Sequence, residues 1–595
     1  MKISDRERMW FRLLVAALML YTIKSIFVGA DIDEAYGVTL GYRLVQGDRI
    51  VWDMWEPHQT SAIFTALFIR LILFFTGGSL QFMTVLLRVC FFLVQLGITL
   101  YLSQSLKECL PFLSRWEQIL FAMMYYITTP KCNYVPEYSN LHMWFSTLLI
   151  LFLMQYFCSA SRNHGRIRYL VLAGAMLACD VLAYPAMVLL YPFCAGMLLW
   201  KSDTGRNRLG ELAVFTLPCV LGAGAFTGWL FGYMSLEDMA IALPAILGDG
   251  SHQTGLAEKL GVWGAGIGEI ALMIAGCGAV AVLIAAAGRR LLARRQPGAF
   301  RAEAADKAVD KAVDKAGGDR MVSLVTVWFA VQTVFQIVCW LDSDYNSGYP
   351  QIAYVALPLF GWLCAGRCVR RERTGLYLIG FSLVNYLALN LFSNWKPACL
   401  NVYLVMGLLG GLFCLRQYFL EKRGEAGLKL MRGICVVFIL CQVFGRCLLM
   451  IGGDEGSSMT FQVRGFSREG VRGGIFTSYM NSYRYNNNYE LFPEIVPEGG
   501  MVLYLGPSVF YYMMGDCRVA APSTISTPEY DERLVLYYEL HPERFPDVVV
   551  MESCYGDVSY FAEDDYIFTW LEEEFMPTKV EDYPYVRVYR REARQ

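Results

Sequence analysis

Three carboxylates fall within Asp31-Ile-Asp33-Glu34-Ala-Tyr36, directly after the first apolar span of the chain. Acids at the mouth of a membrane helix are costly to hold near hydrocarbon, so ionisable groups kept there are functional candidates by default. The same polar gap continues with Asp48, Asp53 and Trp55-Glu56-Pro57-His58-Gln59. A second gap holds Lys131 and Glu137 in Thr-Pro-Lys-Cys-Asn-Tyr-Val-Pro-Glu-Tyr-Ser-Asn, and later gaps offer His252 and Lys259, Asp342 and Asp344, and Lys396 in Asn-Trp-Lys-Pro. Carboxylates facing basic residues at one membrane surface suit a reaction on an anionic, lipid-linked donor. An acid takes the proton of an acceptor hydroxyl, and Lys or Arg neutralises the departing phosphate.

The elements that must position these residues are membrane helices. Of 595 residues, 56% are apolar and 17% charged, where a soluble chain carries about a quarter charged residues. The apolar residues come in runs of about 17 to 25, enough to cross roughly 30 Å of hydrocarbon. Arg, Tyr, Ser and Thr within the runs fit a helical bundle, and the alternation of a barrel is absent. A net charge of −2 gives no case for nucleic acid. Met9–Gly29 imitates a secretory signal, with Gly29-Ala30 as a mock cleavage site, but its length and the many spans behind it predict an uncleaved anchor.

Charge placement predicts the topology. Gaps rich in Lys and Arg are Met1–Arg12, Lys107–Arg115, Arg162–Arg168, Lys201–Arg208, Arg289–Arg320, Arg367–Arg373 and Arg416–Lys429. The intervening gaps Asp31–Glu56, Thr129–Asn140, Glu237–Lys259, Asp342–Gln351 and Ser393–Pro397 are acidic or neutral. The positive-inside rule puts the first set in the cytoplasm and the second outside, with about thirteen crossings. Thr60–Phe75 is short and ends at Gly77-Gly78-Ser79 without a basic cluster. Counting it as a crossing breaks the alternation, so an interfacial or half-buried helix is predicted there. The second crossing is then about Gln81–Ser103.

The domain plan is a transmembrane domain over 1–451, with a first external loop at 30–80 and a cytoplasmic linker at 289–320, followed by a soluble domain over 452–595. Within the linker, Asp306-Lys-Ala-Val-Asp310-Lys-Ala-Val-Asp314-Lys repeats every four residues and predicts a solvated helix. Beyond residue 452, Met501–Leu505, Val548–Met551 and Val586–Tyr589 read as strands, with helices at Asp531–Leu540 and Glu563–Phe575 between them. The alternation predicts a small α/β domain, placed outside by an odd number of crossings. Most of the 18 cysteines lie in apolar runs as small hydrophobes, without zinc spacing. Cys517 and Cys554 share the polar region, and two unpaired thiols are expected there.

Each candidate also has a plainer reading. Asp31 reads as the hydrated end of the first helix, and Glu34 as a residue that orients a helix or binds an ion. Asp53, Glu56 and His58 could pin their loop by hydrogen bonds, His252 reads as a loop residue, and Lys396 could snorkel. Asp180 and Tyr184-Pro185 read as bundle contacts. The run Tyr479–Tyr489 could stack on sugars or form a turn-rich linker.

The first loop resembles that of the GT-C membrane glycosyltransferases, in the branch of the lipid A aminoarabinose transferases and the protein mannosyltransferase-like enzymes. Their loop reads Asp-Glu-x-x-Tyr and then Glu-Lys-Pro-Pro. Here it reads Asp33-Glu34-Ala-Tyr36, then Gly47-Asp48, then Glu56-Pro57-His58-Gln59. The resemblance covers the first seven crossings best, to about Gly232. It implies a catalytic acid at Asp33 with Glu34 beside it, and a second acidic position at Glu137. The Lys and the tandem Pro of the family motif are missing, so the donor-phosphate contact falls to Lys131 or Lys396. Tyr36, Asp53 and Gln59 join these as substrate-binding candidates. Glu56 and His58 are a candidate pair for a divalent cation, short of a full ligand set.

The resemblance further implies a multi-pass protein of the bacterial cytoplasmic membrane, with its N-terminus in the cytoplasm and its C-terminal domain outside. It would move a sugar from polyprenyl phosphate to a glycan, glycolipid or protein acceptor, inverting the anomeric centre. Two rivals from other classes are a transporter or flippase of polyprenyl-linked sugars and a non-catalytic scaffold. Matched Gly/Pro interruptions and an inverted repeat, which a transporter would show, are not apparent in the sequence.

Overall fold

The computed structural model describes residues 5–130, 133–158, 166–201, 208–248, 255–295, 306–341, 351–368, 373–393, 395–451, 457–525, 532–553, 557–558, 561–562 and 564–591. Eight helices among them are long and apolar enough to cross a membrane. The protein is a multi-pass helical membrane protein with a small α/β region at its C-terminal end.

The helices of the first half are α1 (Asp5–Phe27), α2 (Ile32–Gln46), α3 (Ala62–Phe75), α4 (Met83–Cys109), α5 (Arg115–Ile127), α6 (Tyr138–Cys158), α7 (Ile167–Ala183), α8 (Leu190–Lys201) and α9 (Arg208–Leu230). They continue as α10 (Leu236–Leu247), α11 (Leu256–Arg295), α12 (Asp306–Leu341), α13 (Ala353–Ala365), α14 (Arg373–Phe392) and α15 (Val405–Leu448). The expected thirteen or so crossings exceed the eight long spans because α5, α7, α8 and α13 are short. In addition, α15 is two helices joined at Gly424, whose φ of 56° and ψ of −137° break the helix within the basic Arg416–Lys429 corner. The Asp/Lys repeat lies in the opening turns of α12, helical as expected.

Two elements near the candidate acids are built by clear local signals. Asp31 is the N-cap of α2: its Oδ1 accepts the Asp33 N–H at 2.8 Å, and Asp33 and Glu34 follow in the first turn, where carboxylates suit the helix dipole. At the other end Gly47, with φ of 101°, donates to the carbonyls of Arg43 and Leu44 and closes the helix. Asp31 is therefore a largely buried cap (9% exposed) and not the hydrated end of the first helix. Helix α3 packs Ala62, Thr65, Ala66, Ile69 and Ile72 inward and leaves Leu67, Leu71, Phe74 and Phe75 exposed. That one-sided burial suits the half-buried helix expected there.

The C-terminal region follows two short antiparallel ladders, β1 (Leu449–Ile451) with β2 (Ser457–Met459), and β3 (Gly465–Phe466) with β4 (Phe476–Thr477). Its main sheet has β5 (Gly500–Leu505), β6 (Cys517–Val519), β7 (Val548–Glu552), β8 (Lys579–Asp582) and β9 (Val586–Arg590), in the order β6-β5-β7-β9-β8. β5 is parallel to both β6 and β7, and the other pairs are antiparallel. The three expected strands are the three central ones; the edge strands β6 and β8 carry weaker patterns. Helices α16 (Tyr479–Ile495), α17 (Glu532–Leu540) and α18 (Tyr566–Trp570) complete it. The run Tyr479–Tyr489, read as either a sugar-stacking segment or a turn-rich linker, is the first part of α16 and not a turn-rich linker. Ser478 caps it, and Asn481, Ser482, Tyr485, Asn488, Phe492 and Ile495 form one buried face at helical spacing. Cys517 is a buried free thiol; Cys554 lies outside the described residues.

Candidate functional site

Helices α2 and α6 bring the acidic positions together. On α2, Asp33 and Gly37 are one turn apart and share a face. A Cβ at Gly37 would stand 2.5 Å from the Glu137 Cβ, so only a glycine lets the two segments approach this closely. Tyr138, the first residue of α6, directly follows Glu137, and the charges of Asp33 and Glu137 both act on it at a distance. Asp33 is half-buried.

Glu137 is held by its own helix. Its Oε1 accepts from the Ser139 hydroxyl and, at 3.0 Å, from the Asn140 N–H; its Oε2 accepts the Ser139 N–H at 2.9 Å. It thus caps α6 with a charge that favours the helix N-terminus.

An aromatic cluster surrounds them. The His58 ring stacks on Tyr138 with centroids 4.0 Å apart and planes 3° apart, and Tyr184 tilts against His58 at 5.2 Å. Tyr36 meets Tyr138 edge-on at 6.5 Å. One turn deeper on α6, His142 Nδ1 is 2.7 Å from Asp180 Oδ1, and its ring lies 5.4 Å from that of Tyr403. Both members of the His142–Asp180 pair are fully buried. Asp180 was legible as a bundle contact; His142 was not singled out, although a histidine inside an apolar span is itself a signal. Beside Thr60 and Pro185 an apolar groove of about 480 Å³ opens between α7 and α9, lined by Leu177, Val181, Val220 and Phe226.

Several predicted site residues turn out to hold the protein together. Glu34 is 1% exposed and takes a two-point ion pair from Arg88, Nε to Oε1 at 2.7 Å and Nη2 to Oε2 at 2.5 Å. Arg88 also donates to the carbonyls of Ser25, Ile26 and Gly29, tying α4 to the α1–α2 corner. Glu34 is therefore a structural anchor between α2 and α4. Gln59 accepts the Val51 N–H and steadies a residue with φ of 70°, an unfavourable conformation for a branched side chain.

Asp53 and Glu56 belong to a buried charge network that joins the first loop to the C-terminal region. Arg43, with no exposure, donates to Asp48 at 2.8 Å, Glu56 at 3.1 Å and Thr524 at 3.2 Å, and to the carbonyls of Asp53 and Ala521. Arg544 reaches Asp48 at 2.7 Å and Asp53 at 3.5 Å, and Arg49 pairs with Asp53 at 2.8 Å. Burial alone would raise the Asp53 carboxyl, but its bonds from Arg49 and the Arg544 charge hold it below the usual range. Burial prevails at Glu56 and raises it despite Arg43 and Thr524. Three arginines thus face three carboxylates in this network.

Of the cation candidates, Glu56 accepts at Oε1 from Arg43 and Thr524, and the His58 ring lies on Tyr138. Among the described residues no three His, Cys, Asp or Glu side chains are grouped to hold a metal. Lys396 is exposed and precedes the 3-10 helix Pro397–Leu404, which delivers Tyr403 to the His142 ring. Lys131, His252, Asp342 and Asp344 lie outside the described residues.

No family model matches the chain, and no curated protein matches it. Among solved structures it is similar to the archaeal oligosaccharyltransferase AglB from Archaeoglobus fulgidus in complex with an inhibitory peptide and a dolichol-phosphate: 12% identity, TM-score 0.43, covering 92% of this chain and 70% of that one. It is also similar to ArnT from Cupriavidus metallidurans bound to undecaprenyl phosphate: 11% identity, TM-score 0.41, covering 98% and 97% of the two chains. At such identity the chemistry has to be read from this chain's own residues.

Proposed function

We propose that this protein is a membrane glycosyltransferase that moves a sugar from a polyprenyl-phosphate donor to an acceptor hydroxyl outside the membrane. The observation that carries the reading is the close approach of α2 to the head of α6 at Gly37 and Glu137, which puts the α2 turn bearing Asp33 beside an aromatic-walled junction and an apolar groove. Asp33 removes the acceptor proton as the hydroxyl oxygen attacks the anomeric carbon. The bond from that carbon to the lipid phosphate breaks on the opposite face, which inverts the centre. Glu137, fixed by its cap, sets α6 and Tyr138 against α2.

Stacked aromatic rings such as His58 and Tyr138 suit the faces of a sugar. The groove beside Thr60 and Pro185 takes isoprene units of the donor. Cation charge for the departing phosphate comes from Lys131 or Lys396. A divalent cation would supply the same neutralisation. The first-loop resemblance to GT-C enzymes at Asp33-Glu34-Ala-Tyr36 supports the same reading.

The test is transfer by the purified chain in lipid nanodiscs, with undecaprenyl-phosphate sugars and a soluble saccharide or water as acceptor. Release of undecaprenyl phosphate with inversion is expected. Net movement of intact donor across the bilayer without its consumption would favour the flippase instead.

A further inference from the structure

A second polar site lies outside this junction. The chain leaves β5 toward β6 on one side and then crosses to β7 on the other, so the carboxyl ends of β5 and β7 form a topological switch point, where open α/β sheets hold their ligands. A narrow crevice opens there, of about 480 Å³ including its mouth and about 30 Å³ of room for whole water molecules. Pro507 and Ser508, just after β5, form one wall, one face of α16 a second, and Asp31 and Ile32 of the α2 N-terminus a third.

The α16 face presents two amides. Asn481 and Asn488 are 4% and 1% exposed, and Asn481 Nδ2 and Asn488 Oδ1 have no hydrogen-bond partner. Buried polar atoms left so cost stability unless water or a ligand meets them. Two arginines and one carboxylate line the crevice: Arg484, which pairs with Glu552 at the end of β7 at 2.5 Å, Arg472, over the Tyr485 ring at 5.0 Å, and Asp31.

We propose that this crevice is the acceptor subsite and takes the hydroxyl-rich end of a neutral oligosaccharide. The inference rests on the transferase reading above. Hydroxyl groups can accept from Asn481 Nδ2 at one end and donate to Asn488 Oδ1 at the other, which a phosphate dianion does not, and an anion would also face Asp31. The amides stand about 10 Å apart along α16, so a ligand meeting both spans linked sugar rings. The narrow floor has room for hydroxyl and hydroxymethyl groups. Asp31 ties the crevice to the reaction centre, since it caps the helix turn that carries Asp33.

The test is saturation-transfer NMR on the full chain in nanodiscs, with mannobiose, cellobiose and chitobiose as probes, and inorganic phosphate and an acetyl-seryl-alaninamide peptide as controls. At least one disaccharide should bind, and Asn481→Leu and Asn488→Leu should each weaken it by about tenfold or more, the loss of one hydrogen bond. Leu keeps the side-chain volume and removes an unsatisfied polar atom, so both variants should unfold at or above the wild-type temperature. Unchanged saccharide binding in both variants, signal from phosphate or peptide alone, or no probe bound at millimolar concentration would overturn the subsite. Donor hydrolysis by the wild-type chain with water as acceptor is measured alongside. Its absence counts against the transferase reading, whereas absent saccharide binding counts against the subsite alone.

Discussion

Gly37 of α2 and Glu137 at the head of α6 touch: a Cβ on the glycine would stand 2.5 Å from the glutamate Cβ. This approach sets the distance between Asp33, one turn before Gly37, and the Tyr138 hydroxyl. Gly37→Val should push the helices apart, with an overpacking cost of about 1–3 kcal/mol. A lower unfolding temperature together with a fall in transfer rate is expected. Full activity would mean that the spacing of α2 and α6 does not govern the site.

The Glu34–Arg88 pair separates structure from catalysis in the opening acidic cluster. Glu34→Gln leaves a buried guanidinium without its partner, which costs about 3–5 kcal/mol. Replacing both partners, Glu34→Gln with Arg88→Met, should cost less than the sum of the single changes, as double-mutant thermal unfolding would read. An additive result would contradict the pairing.

The loop network should respond to pH in two opposed ways. Asp53 is held below the ordinary aspartate value of 3.8, so the folded chain binds that proton more weakly than the unfolded one. Its stabilisation is present above that value and lost as pH falls through the folded pKa. Glu56 is raised above its ordinary 4.5 by burial, so its contribution is greatest when protonated and declines as pH rises from there through the folded pKa. Urea unfolding followed by tryptophan fluorescence across acid pH should show a flatter acid limb for Asp53→Asn. The limb above 4.5 should flatten for Glu56→Gln. Parallel curves for wild type and both variants would contradict this assignment.

The groove between α7 and α9 should read the length of the donor's lipid. Ala223→Trp fills its wall and is expected to raise KM about tenfold for undecaprenyl donors, the effect of losing one or two buried methylene contacts. A farnesyl donor should be little affected, and kcat unchanged. Equal effects on short and long donors would remove the groove from the donor path.

The helical bundle was legible in the sequence because spans announce themselves by length and hydropathy, and β5, β7 and β9 because buried strands are runs of branched and aromatic residues. Asp33 stood out in the sequence because its neighbours and its position after the first span agreed, and its role as base is the proposal made above. Glu34, Asp53 and Glu56 were not separable from it by sequence. Their partners Arg88, Arg544 and Thr524 lie far along the chain, and only the fold brings them in. Asp31 was misjudged because a helix beginning one residue later was hidden in what read as loop. Helix α16 was hidden for a related reason: Asn and Tyr are indifferent helix formers, and the periodic burial that stabilises it is a tertiary fact.

The most direct test of the account replaces Asp33 with Asn in the purified chain in nanodiscs and measures single-turnover consumption of an undecaprenyl-phosphate sugar. The account expects a rate lower by about 10²–10⁴-fold, with donor affinity and unfolding temperature close to wild type. Transfer at the wild-type rate would contradict it and remove Asp33 as the base.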